Sequence, residues 1–387
     1  MTSNDKLRQF MEQVRPQPQA SQVGSNAVFA ATKVSPELLQ ERAELIKTGE
    51  AALVALQPDV ALTAFERAAS ILHAADTEMA LVRTYMQHGQ YRRALAAGAH
   101  TAGAHLDAVG GAALYAWLLH AGAQTGVAQR LLGEAQSRMP GNELLAQVQQ
   151  QLASGRPLAT GSMLNPPRRL APYGFAQGIP ATARVVGSAV LLQNGKQALV
   201  PLAFLPNSGN PGHKIWLRNG LGLLASGTVA KRLPKAGLAL VHLSQALPVP
   251  DDFWIAATEP FPGSPGYAVE YVANPKTAKD SSPAWPMLRL GFLGGMVTPA
   301  GTDRALGIDM PAGPRGGPVF GGSGQLIGVA LHGKPGAVDQ LMTVSQLQKA
   351  IGQSLGDVMP KSAPTTFTAD RIYESGLKVS LQVITTP

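Results

Sequence analysis

From residue 35 to about residue 152 the apolar positions recur at helical spacing, with alanine, leucine and glutamine dominant and few β-branched residues. The pattern predicts helix after helix, opening at Ser35-Pro36-Glu37, where a capping serine is followed by a first-turn proline and an acid. Residues 1–34 are polar with scattered Gln, Pro and Ser, and read as a flexible lead-in. Proline and glycine breaks at 153–157 and 165–169 mark a linker ending near Tyr173. Beyond it the chain changes to short runs rich in Val, Leu and Gly with turn residues every ten or so positions, which predicts strands at 185–192, 198–205, 214–218, 223–229, 238–243, 267–272, 289–297, 319–320 and 326–331. A helix is expected at 345–355, and alternating Leu377, Val379, Leu381 and Val383 predict a half-buried strand near the end. The expected domains are a lead-in (1–34), a helical domain (35–155), a linker (156–175), a β domain (176–358) and a linker with a final strand (359–387).

Within the helical block Ala61, Ala94 and Ala128 occupy equivalent places, separated by 33 (61 to 94) and 34 (94 to 128) residues. The strongest unit runs from Leu81 to Leu95 and holds Tyr85, Gly89, Tyr91, Ala94 and Leu95; Gly122 repeats Gly89, and Met139-Pro140 closes its unit. This spacing resembles the tetratricopeptide repeat, whose paired helices stack into a superhelix with a concave, peptide-binding face. The resemblance implies a protein or peptide partner, with Tyr85, Tyr91 and Arg92 as candidate contacts. A plain helical bundle is the alternative.

In the β block, Gly313-Pro314-Arg315-Gly316-Gly317-Pro318-Val319-Phe320 is followed by Gly324-Gln325-Leu326-Ile327-Gly328-Val329. It resembles the nucleophile loop and next strand of trypsin-like serine proteases, with Arg315 at the serine position. A guanidinium stays protonated and cannot attack a carbonyl. The frame around that family's histidine is visible in 187–204 and places Ala203 at the histidine position; the frame Gly237-Leu238-Ala239-Leu240-Val241 places Gly237 at the aspartate position. The resemblance covers roughly residues 181–355. It implies a fold of two kinds, an N-terminal α-helical repeat domain and a C-terminal all-β trypsin-like double barrel.

With all three triad positions changed, the expectation is a catalytically inactive, non-enzymatic binding or scaffolding protein. The alternatives are a hydrolase with relocated residues, drawn from His213, His242, His332, Ser323 and Thr302, and a regulatory subunit of a protease or secretion complex. Two readings of Arg315 stay open. Its guanidinium, with the backbone N–H groups of Gly313 and Arg315, forms an anion seat, or it fills the old cleft and pairs with an acid such as Asp303 or Asp309.

Composition narrows the partners. Charged residues are 14% of the chain against about 25% in ordinary globular proteins. The net charge of +8 comes from 32 basic and 24 acidic residues, and no basic run exceeds pairs such as Arg92-Arg93, so a nucleic-acid partner is not expected. The absence of cysteine excludes disulfides and thiolate metal sites, and neither a metal nor a cofactor is expected. No apolar run has membrane-spanning length, and the first residues lack a signal-like core. The expected location is cytoplasmic as written, or exported if a leader has been trimmed. The final strand needs a sheet to complete, which is this chain's own barrel, a neighbour's, or a further domain. Intrachain closure, as a displaced first strand, is favoured because it avoids the entropy of association.

Overall fold

A computed structural model describes residues 34–154, 162–175, 178–205, 214–271, 281–297, 304–333, 338–358, 360 and 366–386. The expected lead-in therefore lies almost wholly outside the described residues, as do His213, Thr302 and Asp303. Seven helices run in sequence: α1 (Pro36–Val54), α2 (Pro58–Ile71), α3 (Ala75–Gln87), α4 (Tyr91–Ala104), α5 (Val109–Ala121), α6 (Thr125–Arg138) and α7 (Glu143–Ser154). The expected helical texture is present throughout this block.

The turns between paired helices share one device. Leu56, Gly89 and Ala123 take left-handed backbone angles (φ 56°, 76° and 67°) just after α1, α3 and α5. A left-handed residue reverses the chain and lets the next helix fold back antiparallel. Five residues later Ala61, Ala94 and Ala128 are all fully buried, where a small side chain permits close helix approach. Gly122, expected to repeat Gly89, is constrained differently. Its φ is −86°, and an added Cβ would lie 2.0 Å from the hydroxyl of Tyr91. That hydroxyl donates to the Leu118 carbonyl at 2.8 Å. Helix α7 covers the last pair with Leu144, Leu145, Val148 and Leu152.

The β block begins with β1 (Arg184–Leu191), β2 (Gln197–Pro201), β3 (Ile215–Asn219), β4 (Leu224–Leu233) and β5 (Leu238–Leu243). A second group holds β6 (Pro265–Glu270), β7 (Met287–Phe292), β8 (Pro318–Gly321), β9 (Leu326–Leu331) and β10 (Gln340–Thr343), followed by helix α8 (Val344–Ile351). The last elements are α9 (Ala369–Val379) and β11 (Ser380–Thr385). Strand β11 lies between β1 and β3 and closes a barrel in the order β1-β11-β3-β4-β5-β2. Leu381 faces Ala189 of β1 on one side and Asn219 of β3 on the other. The chain thus closes its own barrel with its last strand. The second group forms an antiparallel sheet of order β10-β9-β8-β6-β7, which isolated bridges such as Ala305 to Gln340 extend.

Two details of the tail differ from expectation. The strand starts at Ser380 rather than Leu377, because Thr368 caps a helix by accepting the Arg371 N–H, and Ile372, Tyr373, Gly376 and Leu377 form its buried face. The strand is also covered on both faces. Its polar members are satisfied inside: Ser380 Oγ donates to the Val269 carbonyl at 3.0 Å, and Gln382 Oε1 accepts from buried Arg218 at 2.9 Å.

Residues Glu37–Pro387 form one compact unit. The Tyr91 and Tyr373 rings meet edge to face at 4.6 Å, and Glu374 accepts from both the backbone N–H and the guanidinium of Arg92. From the other side Tyr173 donates its hydroxyl to Glu50 of α1 at 3.1 Å. Among the described residues no helix is long and apolar enough to cross a membrane.

Candidate functional site

The loop leading into β8 is shaped by glycine. Gly313 and Gly316 have φ of 149° and 143°, where side chains are disfavoured. A Cβ on Gly316 would lie 2.1 Å from the Ser188 carbonyl of β1, and one on Gly317 would lie 2.3 Å from the Val269 carbonyl of β6. The loop therefore sits with its backbone pressed against both sheets. Its N–H groups are held from below: Glu270 Oε1 accepts from Gly316 at 3.2 Å and from Gly317 at 2.9 Å.

Burial pushes the Glu270 carboxyl up to about 7; the Ser188 hydroxyl, the two N–H groups and Arg315 act in the opposite direction without cancelling it. Among the described residues its Oε2 has no hydrogen-bond partner. Removing a carboxylate from water costs more than two backbone donors return, which is why the proton is retained to higher pH.

Arg315 is buried, and its described acid partner is not Asp309 but Asp339, while Asp303 lies outside the described residues. Its Nε donates to Asp339 Oδ2 at 2.7 Å and its Nη1 to the Gly313 carbonyl at 2.9 Å. Asp339 reaches in from the segment before β10, and its Oδ1 lies 3.1 Å from His332 Nδ1, at the end of β9. The His332 side chain is 56% exposed. Asp309 instead lies near Arg289, whose pKa burial lowers while Asp309 acts in the opposite direction. A narrow cavity of about 10 Å³, room for one water, is lined by Glu270, Tyr271, Met287, Arg289 and the loop from Met310 to Arg315.

The other two expected positions come to the same place. Ala203 is exposed in a single turn after β2, and Gly237 has a left-handed backbone (φ 65°) just before β5. The Leu202 N–H donates to the Gly237 carbonyl at 2.9 Å, and Pro201 pairs with Leu238. Pro201 is also what a Cβ on Gly316 would strike, at 2.6 Å. Three stretches far apart in sequence thus converge around Pro201.

The candidate contacts in the helices fare differently. Tyr91 is fully buried, so it is a packing residue and cannot be presented to a partner. Arg92 is engaged by Glu374 at 2.8 Å. Tyr85 is half-buried, with the Arg93 guanidinium 5.3 Å from its ring centroid. Sequence reasoning missed Glu270, Asp339 and Ser188. Only the acid within the otherwise apolar run 267–272 was a signal there.

No family model matches the chain, and no curated protein sequence matches it. Solved structures do. A crystal structure of Deg5 aligns with 15% identity over 45% of this chain and 88% of that one, with a TM-score of 0.32. The MamO protease domain from Magnetospirillum magneticum aligns with 16% identity over 45% of this chain and 98% of that one, with a TM-score of 0.30. The active form of the Rv3671c protease from M. tuberculosis aligns with 13% identity over 46% of this chain and 84% of that one, with a TM-score of 0.30. These alignments fall on the C-terminal region, where a closed six-stranded barrel is followed by a five-stranded antiparallel sheet. The expectation that the chain is no enzyme is corrected: the aligned MamO domain and Rv3671c are proteases, and three changed positions do not by themselves exclude hydrolysis by other groups.

Proposed function

We propose that this protease-related protein binds a protein or peptide partner, combining tetratricopeptide-like helices with a protease-like cleft. The observation that carries this reading is the intact loop from Gly313 to Pro318, held from below by Glu270, with Arg315 fixed at its tip by Asp339 and the Gly313 carbonyl. A preorganised loop presents its backbone groups to a ligand without an ordering cost, whether or not a bond is cut. The left-handed turns at residues 56, 89 and 123, recurring with the same period as the buried alanines, support the repeat character of the helices.

A second reading, hydrolysis by relocated groups, is favoured by one feature. Asp339 orients the half-exposed His332 beside Arg315, as an acid orients the base of a triad. The Nε2 edge of His332 would serve as general base toward a water or a hydroxyl.

One experiment separates the two readings. The full chain is titrated against immobilised peptide libraries, and the cleavage products are read by mass spectrometry. Retention of a peptide class that weakens at least tenfold in Arg315→Ala supports binding at the loop. Cleavage lost in His332→Ala supports hydrolysis. If no peptide is retained or cut, both readings fail.

A further inference from the structure

Far from the protease-like loop, three imidazoles converge on one buried carboxylate. His73 lies in the connection between α2 and α3, Glu78 in the first turn of α3, His100 in α4, and His105 at the residue that ends α4. His73 Nε2 contacts Glu78 Oε1, His100 Nε2 lies 3.3 Å from the same oxygen, and the two Nε2 atoms are 3.2 Å apart. His105 Nε2 lies 3.4 Å from the other oxygen, Glu78 Oε2.

Three physical features mark this as more than a surface cluster. Glu78 is only 7% exposed, and a buried carboxylate needs a counter-charge. Among the described residues its ion pairs are all with imidazoles and none with lysine or arginine. Among the described residues two buried atoms, Glu78 Oε2 and His105 Nε2, face one another at 3.4 Å without a hydrogen bond to either. The spacing is also that of ligands on a metal. Donors about 2.0–2.1 Å from a tetrahedral zinc ion stand about 3.3 Å from one another. Two of the three separations among His73, His100 and Glu78, 3.2 Å and 3.3 Å, match that edge, and the third, His73 to Glu78, is shorter. Each neutral imidazole has at most one hydrogen on Nε2, so at most two of these three contacts can be hydrogen bonds and the third sets like atoms against each other. A cation at the centre removes the conflict.

We propose that His73, His100 and Glu78 bind one divalent transition-metal ion of the zinc class, with His105 positioning the carboxylate through Oε2. Two nitrogens and one oxygen suit borderline metals such as zinc, cobalt or nickel, whereas calcium and magnesium prefer all-oxygen sites. The side chains of His73 and His100 are 60% and 59% exposed, so a fourth position opens to solvent for water or an external ligand. The ion would tie the connection before α3 to the far part of α4, stabilising that helix pair in proportion to occupancy.

The test uses the untagged full chain, stripped with chelator and titrated with Co²⁺ and Zn²⁺. The expected result is one Co²⁺ per chain, visible as d–d absorption, displaced by Zn²⁺, with a rise in Tm on Zn²⁺ addition. The ligands His73 and His100 are exposed, so His73→Ala and His100→Ala should fold normally and weaken Zn²⁺ binding at least tenfold each. Glu78→Gln should weaken it too, while His88→Ala, outside the cluster, should leave it unchanged. Absence of stoichiometric Co²⁺ binding would overturn the proposal, as would binding unaffected by His73→Ala and His100→Ala. Equal binding of Mg²⁺ would overturn the ligand assignment. In those cases the imidazoles hold Glu78 through direct polar contacts alone.

Discussion

At the scale of single residues, Glu270 ties the shape of the protease-like loop to pH. Its folded carboxyl titrates near 7, pushed up by burial, against about 4.5 when exposed. The folded state therefore holds the proton more tightly than the unfolded chain does. The stability that follows is complete below about pH 4.5 and is lost progressively as pH rises through about 7. Replacing Glu270 with glutamine keeps an acceptor for the Gly316 and Gly317 N–H groups and removes the titration. Glu270→Gln should flatten the dependence of Tm on pH between 5 and 8, with its largest gain over the native chain at pH 8. Thermal melts across that range check this, and parallel curves for the two proteins would refute it.

At the scale of elements, the three helix-pair turns differ in how well their residues fit. Gly89 takes its left-handed angle freely, whereas Ala123 takes one at φ 67° with a Cβ in place. A non-glycine residue in that region costs about 1 kcal/mol or more, partly offset by the greater unfolded-state freedom that glycine brings. Ala123→Gly should therefore stabilise the protein by about 0.5 kcal/mol, measured by urea denaturation, with an unchanged m-value. The neighbouring position carries the opposite constraint. Gly122→Ala, whose methyl would strike the Tyr91 hydroxyl, should cost about 1–3 kcal/mol. A left-handed turn and a close contact stand side by side, and each needs its own small residue.

At the scale of the whole molecule, the last strand holds the barrel together. Leu381, Val383 and Ile384 are fully buried in β11, and Ile372, Tyr373 and Leu377 of α9 are buried too. Deleting residues 366–387 removes the strand between β1 and β3 and exposes two unpaired edges, the usual template for aggregation. The truncated chain should aggregate in size-exclusion chromatography. A soluble monomer with the native Tm would show that the barrel does not need β11. The same deletion removes Glu374, the partner of Arg92, and Tyr373, the partner of Tyr91. It should therefore also loosen the helical block, read as faster amide exchange in α4.

Local pattern determined the elements. Helical periodicity and few β-branched residues specify the helices from α1 to α7. Short apolar runs between turn residues specify nine of the first ten strands, with β10 missed because only Leu341 and Met342 are apolar there, between polar Gln340 and Thr343. The glycines of the loop at 313–317 were legible for the same reason: a backbone angle forbidden to other residues leaves a local mark. Tertiary structure alone decided what depends on distant pairings. Arg315 meets Asp339 rather than Asp309, because β10 brings that acid alongside the loop while Asp309 is drawn toward Arg289. Tyr91 looked like a binding residue and is core, because Tyr373, 282 positions later, packs on its ring. Leu377 and Val379 fit strand and helix alike over so few residues, and the capped helix prevailed. His73, Glu78, His100 and His105 carry no shared motif, since they meet only when α3 and α4 lie antiparallel. Periodicity is a property of neighbours in sequence; a site is a property of neighbours in space, and only the fold makes those.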